Sequence, residues 1–322
     1  MADCNDLFDE YYEAIKLTTS KRDSLKVSRD AIRDRIRNYF KETLKINVPK
    51  FHGQGSYIMN TIVNPLDGEF DIDDGVYLQN LNSEKSKWET TETVHKWIVD
   101  ATDGATSEKP IDKKRCVRVR YADNYHVDLP IYGMDRGAPL IAEKGERGWH
   151  ESDPKALIDW FNSQIKVHGE QLRHIIRYFK AWADFQNQDS APKMPSGLSL
   201  MILSTESFES SERDDVSFTG TTRKINNRFK TSPSIIRPVP PYDDLVKELS
   251  PAQIENFKVK LQALLEGGDQ AIKDDDKVKA SKIWRSLLGE RFPEYNSDND
   301  DKVSAALKTS APAILPSGGK SA

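Results

Sequence analysis

The chain has 322 residues, enough for one large core or two moderate ones, so a two-lobed molecule is the starting expectation. Apolar residues make up 37% and charged residues 30%, no apolar run approaches the roughly 20 residues of a membrane-spanning helix, and the acidic start MADCNDLFDEYYEAIK lacks the order of a secretion signal; a cytoplasmic protein with no membrane partner is expected. The net charge of −4, from 47 basic against 51 acidic residues, argues against wrapping a long nucleic acid, whose binding rests on neutralised phosphates, and favours small nucleotides.

Cys4 and Cys116 are too few and too far apart for a disulfide framework or a thiolate zinc site, and read as reduced, structural thiols. The histidines at 52, 95, 126, 150, 168 and 174 show no HExxH or paired spacing, so zinc is not expected.

Thr19 and Ser20 offer N-caps for a helix over 21–44, with Asp23 completing a capping box from Ser20. Leu25, Ile32, Ile36, Phe40 and Leu44 form its buried face, and Arg29, Arg33 and Arg37 form a separate row expected to be solvated. Residues 70–78 alternate as a strand around Ile72, Val76 and Leu78. Two further strands, 116–121 and 125–131, flank the turn pair Asp123-Asn124. In the second, Val127, Leu129 and Ile131 share one face while His126 and Asp128 share the other.

Ser152-Asp153-Pro154 opens a helix, after which the pattern turns mostly helical. Over 168–186, Leu172, Ile175, Ile176, Phe179 and Trp182 make an apolar stripe, with Arg173, Arg177 and Lys180 on another face. Residues 209–234, polar and poorly periodic, read as a long loop or exposed segment. Pro238, Pro240 and Pro241 mark a connector, and helix resumes over 243–265 and 277–288. No internal repeat is found. The division expected is a catalytic lobe with its N-terminal helix at 1–165, a helical lobe at 166–295 and a flexible tail at 296–322.

The chemistry concentrates at Phe70-Asp71-Ile72-Asp73-Asp74-Gly75. On a strand, residues i and i+2 point the same way, so Asp71 and Asp73 present adjacent carboxylates. Their repulsion is relieved by a cation, and Mg²⁺ suits one or two carboxylates plus phosphate oxygens. A calcium loop is a poorer fit, because this apolar strand lacks the alternating oxygen ligands and terminal glutamate. Upstream, Gly53-Gln54-Gly55-Ser56 would let backbone approach a triphosphate closely. Asp128 adds a third carboxylate, enough for two metal ions about 3.5–4 Å apart, with Asp128 as ligand and proton acceptor for the attacking hydroxyl.

Gly-Ser, a strand DxD and a later single Asp resemble the polymerase-β-like nucleotidyltransferase superfamily. The fuller set, Gln54-Gly55-Ser56, Asp71-Ile72-Asp73-Asp74-Gly75-Val76-Tyr77-Leu78 and His126-Val127-Asp128-Leu129-Pro130, is similar to the bacterial cGAS/DncV-like nucleotidyltransferases (CD-NTases). So are Phe179-Lys180-Ala181-Trp182 and the segment Ile283-Trp284-Arg285 through Arg291-Phe292-Pro293. The resemblance implies an α+β, two-lobed fold, with a mixed-sheet catalytic lobe, a helical lobe and the active site in the cleft between them. It implies a Mg²⁺-dependent enzyme that makes a cyclic di- or trinucleotide second messenger from ATP and another NTP such as GTP, releasing pyrophosphate, in the antiphage system CBASS. It further implies Asp71, Asp73 and Asp128 as ligands of two Mg²⁺ ions, with Mn²⁺ as an alternative, and Gln54, Gly55, Ser56, Lys180 and Ser196 as nucleotide contacts. The partners implied are nucleoside triphosphates, an effector reached through the product, and ubiquitin-like E1–E2 machinery at a tail ending Gly318-Gly319-Lys320-Ser321-Ala322. The zinc-ribbon cysteines of the animal DNA sensor are absent, so no DNA activator is expected, and the protein is expected to act as a monomer. Two other readings stay open at this point: a nucleotidyltransferase acting on RNA ends or a small-molecule acceptor, and a non-catalytic nucleotide-binding scaffold.

Overall fold

A computed structural model describes residues 1–188 and 191–296 of the chain, so the tail with its expected conjugation site lies outside the described residues from 297 onward. Helix α1 (Asn5–Ile15) turns Leu7, Phe8, Tyr11 and Ile15 inward. Helix α2 (Thr19–Asn38) passes into a π-helical segment at Tyr39–Leu44, and together they bury Leu25, Ile32, Ile36 and Phe40 along one face. The cap is Thr18, whose hydroxyl accepts from the Lys21 N–H; this earlier start puts Lys21 at the position a capping box requires, so the Ser20–Asp23 box does not form.

Strand β1 (Lys50–Gln54) runs directly into a single turn, α3 (Gly55–Ile58), and β2 (Phe70–Tyr77) follows. Helix α4 (Thr91–Thr102) precedes β3 (Ile111–Asp112), β4 (Val117–Tyr121), β5 (Tyr125–Leu129), β6 (Ile131–Asp135), β7 (Ala138–Glu143) and β8 (Gly148–Glu151). β4 and β5 are antiparallel, joined through Asn124 at φ +56°, a conformation asparagine tolerates. β2 is the spine of the sheet: Asp73 lies between Gln54 of β1 and Asp128 of β5, and Val76 lies between Phe51 of β1 and Ile131 of β6. β1 is antiparallel to β2, whereas β5 and β6 are parallel to it, so the sheet is mixed.

Helices then dominate. α5 (Pro154–His168) starts as expected, with Asp153 capping Ala156 and Pro154 in the first turn. α6 (Gln171–Gln186), α7 (Gly197–Glu206), α8 (Asp214–Thr231), α9 (Pro251–Lys273) and α10 (Lys277–Leu288) complete the element order. Two apolar clusters result. One joins α2 and α4 to β2, β4 and β5 through Leu25, Ile32, Ile72, Val94, Ile98, Val119 and Val127. The other gathers the later helices, and also takes in Leu7, Phe8 and Tyr11 of α1 with Leu157 and Phe161 of α5. α1, though grouped by sequence with the first lobe, therefore packs in the helical one.

Two expectations need correction. The segment 209–234 is largely a buried helix, α8, whose Phe218, Ile225 and Phe229 are sunk in the core. Its polarity misleads because its buried hydroxyls find backbone partners: Thr219 and Thr222 donate to the Asp215 and Phe218 carbonyls of the same helix, each at 2.8 Å, while Ser217 donates to the Glu209 carbonyl. The stretch 243–265 is not continuous. A 3₁₀ turn at Leu245–Glu248 is followed by a fresh start at Pro251, where Ser250 and Gln253 form a reciprocal capping box.

Candidate active site

The alternation of β2 sorts its acids. Phe70, Ile72, Asp74 and Val76 face α2, while Asp71 and Asp73 face the opposite side, a cleft between the sheet and the helices. Asp74 is fully buried and held by a fork from Arg33, with Nε to Oδ2 at 2.7 Å and Nη2 to Oδ1 at 2.5 Å. The Arg29–Arg33–Arg37 row is thus solvated only at Arg37, while Arg29 and Arg33 are partly buried. Arg33 compensates a buried charge, and Arg33 and Arg37 both lie over the Phe51 ring, at 5.5 and 5.1 Å from its centroid.

On the cleft face the strands make two rungs. Gln54, Asp73, Asp128 and Arg118 line up across β1, β2, β5 and β4, and Asp71, His126 and Arg120 form the next rung. Residues directly opposite on neighbouring strands point to the same side, so register alone brings the three carboxylates and an imidazole together. Arg118 forks onto Asp128, with Nε to Oδ1 at 2.7 Å and Nη2 to Oδ2 at 2.8 Å. Neither Arg118 nor His126 was picked from the sequence as a site residue. The signal was present in the hairpin, because positions equidistant from Asp123 face each other and Arg118 is thereby set against Asp128.

Gly55 explains the small residue after β1. It has φ +69°, and a Cβ there would sit 2.0 Å from Asp73 Oδ2. Only glycine lets the turn cross this closely over the carboxylate. Ser56 follows on the cleft wall; Gln54, beside it, donates from Nε2 to the Tyr132 hydroxyl at 3.3 Å.

The cleft measures about 550 Å³, within the range of small-molecule sites. Gln54, Gly55, Ser56, Asp71 and Asp73 form one wall and Lys180, Asn187, Gly197, Leu198 and Met201 the other, with Asp128 buried beside the acidic pair. The basic face of α6 is spent on the joint between the walls. Arg173 donates to the Met59 carbonyl at 3.2 Å, Arg177 to that of Asn60 at 2.9 Å, and Lys180 to that of Thr61 at 3.2 Å. Lys180 thus stays fixed while facing the acids. Ser196 caps α7 by accepting from the Ser199 N–H, and it is its neighbours Pro195 and Gly197 that line the cleft.

Electrostatics favour a cation. Burial, then the charges of Asp71 and Asp128, hold the Asp73 carboxyl well above the usual carboxylate range. Burial brings the Lys180 ammonium down to about 8, although Asp71 and Asp73 oppose the shift. Burial likewise lowers the His126 imidazole and raises the Cys116 thiol to about 12, which fits an inert cysteine. Among the described residues, Asp71, His126 and Asp128 each offer a ligand atom within 4.8 Å of the others. Asp73 adjoins this set, with its Oδ2 turned toward Gly55. Three carboxylates, one already resisting ionisation, fit divalent ions and the triphosphate such ions carry.

Residues 49–132 match the family described as the nucleotidyltransferase domain of Cyclic GMP-AMP synthase DncV-like proteins. The chain is 27% identical over 292 residues to a cyclic GMP-AMP synthase of Escherichia albertii, covering 87% of this chain and 62% of that protein. The chain thus spans less than two thirds of the length of the curated relatives it matches. Its fold is that of the Vibrio cholerae DncV cyclic AMP-GMP synthase, with a TM-score of 0.77 at 21% identity over 92% of this chain and 98% of the other. The same enzyme, in complex with the linear intermediate 5′ pppA(3′,5′)pG, matches with a TM-score of 0.74 at 23% identity, covering 89% of this chain and 97% of that one. The α+β architecture expected from the motifs, a mixed sheet followed by a set of helices, is the one found.

Proposed function

We propose that the chain is a bacterial CD-NTase and that it joins nucleoside triphosphates into a cyclic dinucleotide at the cleft lined by Asp71 and Asp73, with Asp128 buried beside them. The observation that carries this reading is the alignment of Asp73 with the buried Asp128, with Asp71 one rung away, where Asp71 and Asp73 line a cleft of a size for a nucleotide. Asp71, Asp73 and Asp128 would hold Mg²⁺. When bound, such ions orient a triphosphate and lower the pKa of an attacking hydroxyl.

The chain's own groups supply the rest. Gly55 and Ser56 bring backbone against the carboxylates, where a triphosphate's terminal phosphates would lie. Lys180, pinned to Thr61 and facing the acids, adds a positive charge for the same phosphates. Arg118 fixes the Asp128 carboxylate in the plane of its fork, which keeps the third acid oriented as nucleotides come and go. The relatives are cyclic GMP-AMP synthases by name, which supports ATP and GTP as substrates here. Action in antiphage defence through a product-sensing effector is part of the same proposal, as is a cyclic dinucleotide in place of a cyclic trinucleotide.

The test is incubation with all four NTPs and Mg²⁺, without polymer or acceptor, followed by mass spectrometry. A phosphatase-resistant cyclic dinucleotide is expected, and Asp71→Asn with Asp73→Asn together should abolish it while the melting curve survives. Product that forms only when RNA or a small acceptor is added would favour the acceptor-modifying reading instead.

A further inference from the structure

His126 sits inside the acidic cluster, and the reaction as described makes no use of it. It is 5% exposed, and neither ring nitrogen makes a hydrogen bond of normal geometry. A buried imidazole with both nitrogens unmatched is costly unless something absent from the polypeptide completes it. The ring is also aimed. Nε2 lies 3.9 Å from Asp71 Oδ2 and 4.0 Å from Asp128 Oδ2, while Nδ1 lies 3.2 Å from a Glu69 carboxylate oxygen. Metal-binding histidines commonly take this disposition, one nitrogen toward a carboxylate that fixes the tautomer and the other toward the ion.

We infer that His126 Nε2 is a ligand of the cation shared by Asp71 and Asp128, with Glu69 orienting the ring, and that this site takes Mn²⁺ in preference to Mg²⁺. Gaps of 3.9 and 4.0 Å between ligand atoms suit an ion at the 2.0–2.2 Å bond lengths such ligands favour, after a small inward adjustment. The preference follows from ligand type: imidazole nitrogen suits transition metals, whereas Mg²⁺ seeks oxygen. Arg118 does not block the site, since a carboxylate offers about four lone-pair positions and the fork uses two. The inference rests on the proposed nucleotidyl-transfer reading for the identity of the acidic site, but its test does not require turnover.

Mn²⁺ alone is titrated into the full chain without nucleotide, and its binding is followed by continuous-wave EPR. Pulsed EPR then reads nitrogen coupling to the bound ion, with ¹⁵N-histidine labelling to assign it. Histidine nitrogen coupling is expected in the wild type and should vanish in His126→Gln. That variant should bind Mn²⁺ about tenfold or more weakly, on the scale seen when metal-site partners are removed, while Mg²⁺ affinity measured by competition changes far less. Bound Mn²⁺ without nitrogen coupling in the wild type would overturn the inference, as would a failure to bind Mn²⁺. The wild-type spectrum decides even if the variant folds poorly. A histidine that merely balances neighbouring carboxylates gives that uncoupled result. Coupling in a protein that makes no cyclic product would support the site and count against the synthase reading alone.

Discussion

Replacing Gly55 by alanine isolates one contact. The residue has φ +69°, so any side chain pays the left-handed penalty of about 1–2 kcal/mol. The added Cβ also lands 2.0 Å from Asp73 Oδ2, where ordinary contact begins at 3.4 Å, so that oxygen must retreat by roughly 1.4 Å. Misplacing a reacting group by about 1 Å costs on the order of 100-fold in rate, or about 2.7 kcal/mol of barrier. Gly137, in the turn between β6 and β7, provides the control: it has φ +90° and nothing within 4 Å of its would-be Cβ. Gly137→Ala should lower the melting temperature by a few degrees and leave synthesis unchanged. Gly55→Ala should melt similarly but lose about two orders of magnitude in kcat, measured by pyrophosphate release from ATP and GTP. If Gly55→Ala kept turnover within threefold of wild type while melting like Gly137→Ala, the link between this glycine, the seat of Asp73 and catalysis would be refuted.

Arg33→Ala leaves the Asp74 carboxylate buried without its fork, and should cost about 3–5 kcal/mol in denaturant unfolding. Arg33→Leu combined with Asp74→Leu should recover most of that loss, and a single-variant cost below about 1 kcal/mol would refute the pairing argument. Lys180, with its pKa brought down to about 8, is charged below that pH and loses its charge as pH rises through it. NTP affinity should therefore weaken above pH 8 in the wild type and stay flat in Lys180→Arg, whose guanidinium remains charged; equal pH profiles for the two proteins would remove Lys180 from the phosphate site.

The paired carboxylates of β2 were legible because period two is a local property. Asp71 and Asp73 share a face of any strand they form, and the Asp123-Asn124 turn fixes how β5 returns beside β4. Beyond that hairpin, what pairs with what was not legible. The basic rows of α2 and α6 look alike in sequence, yet one neutralises Asp74 and the other docks the carbonyls of Met59, Asn60 and Thr61. Periodicity says which side chains share a face and is silent on what the face meets. Helix α8 was missed for a related reason. Thr219 and Thr222 hide their hydroxyls in their own helix, so a polar run becomes core.

These pairings bear on how the floor of the cleft is held. Asp73 and Asp74 are adjacent, and alternation sends one to the cleft and the other to α2. Arg33 therefore grips β2 from behind at the residue after Asp73, while Gly55 closes on Asp73 from the front. Arg118 does the same for the next strand by seizing Asp128 from β4. The clustered carboxylates are thus set against their mutual repulsion by neighbours on rigid strands and a long helix, as the proposed reaction requires. Electrostatic catalysis depends on such fixed charges, because little reorganisation is then left for the moment of reaction. It follows that Arg33, which holds β2 on the face away from the cleft, should influence turnover as well as stability. Arg33→Leu with Asp74→Leu, stable again but without the grip, is expected to retain nucleotide binding and lose kcat.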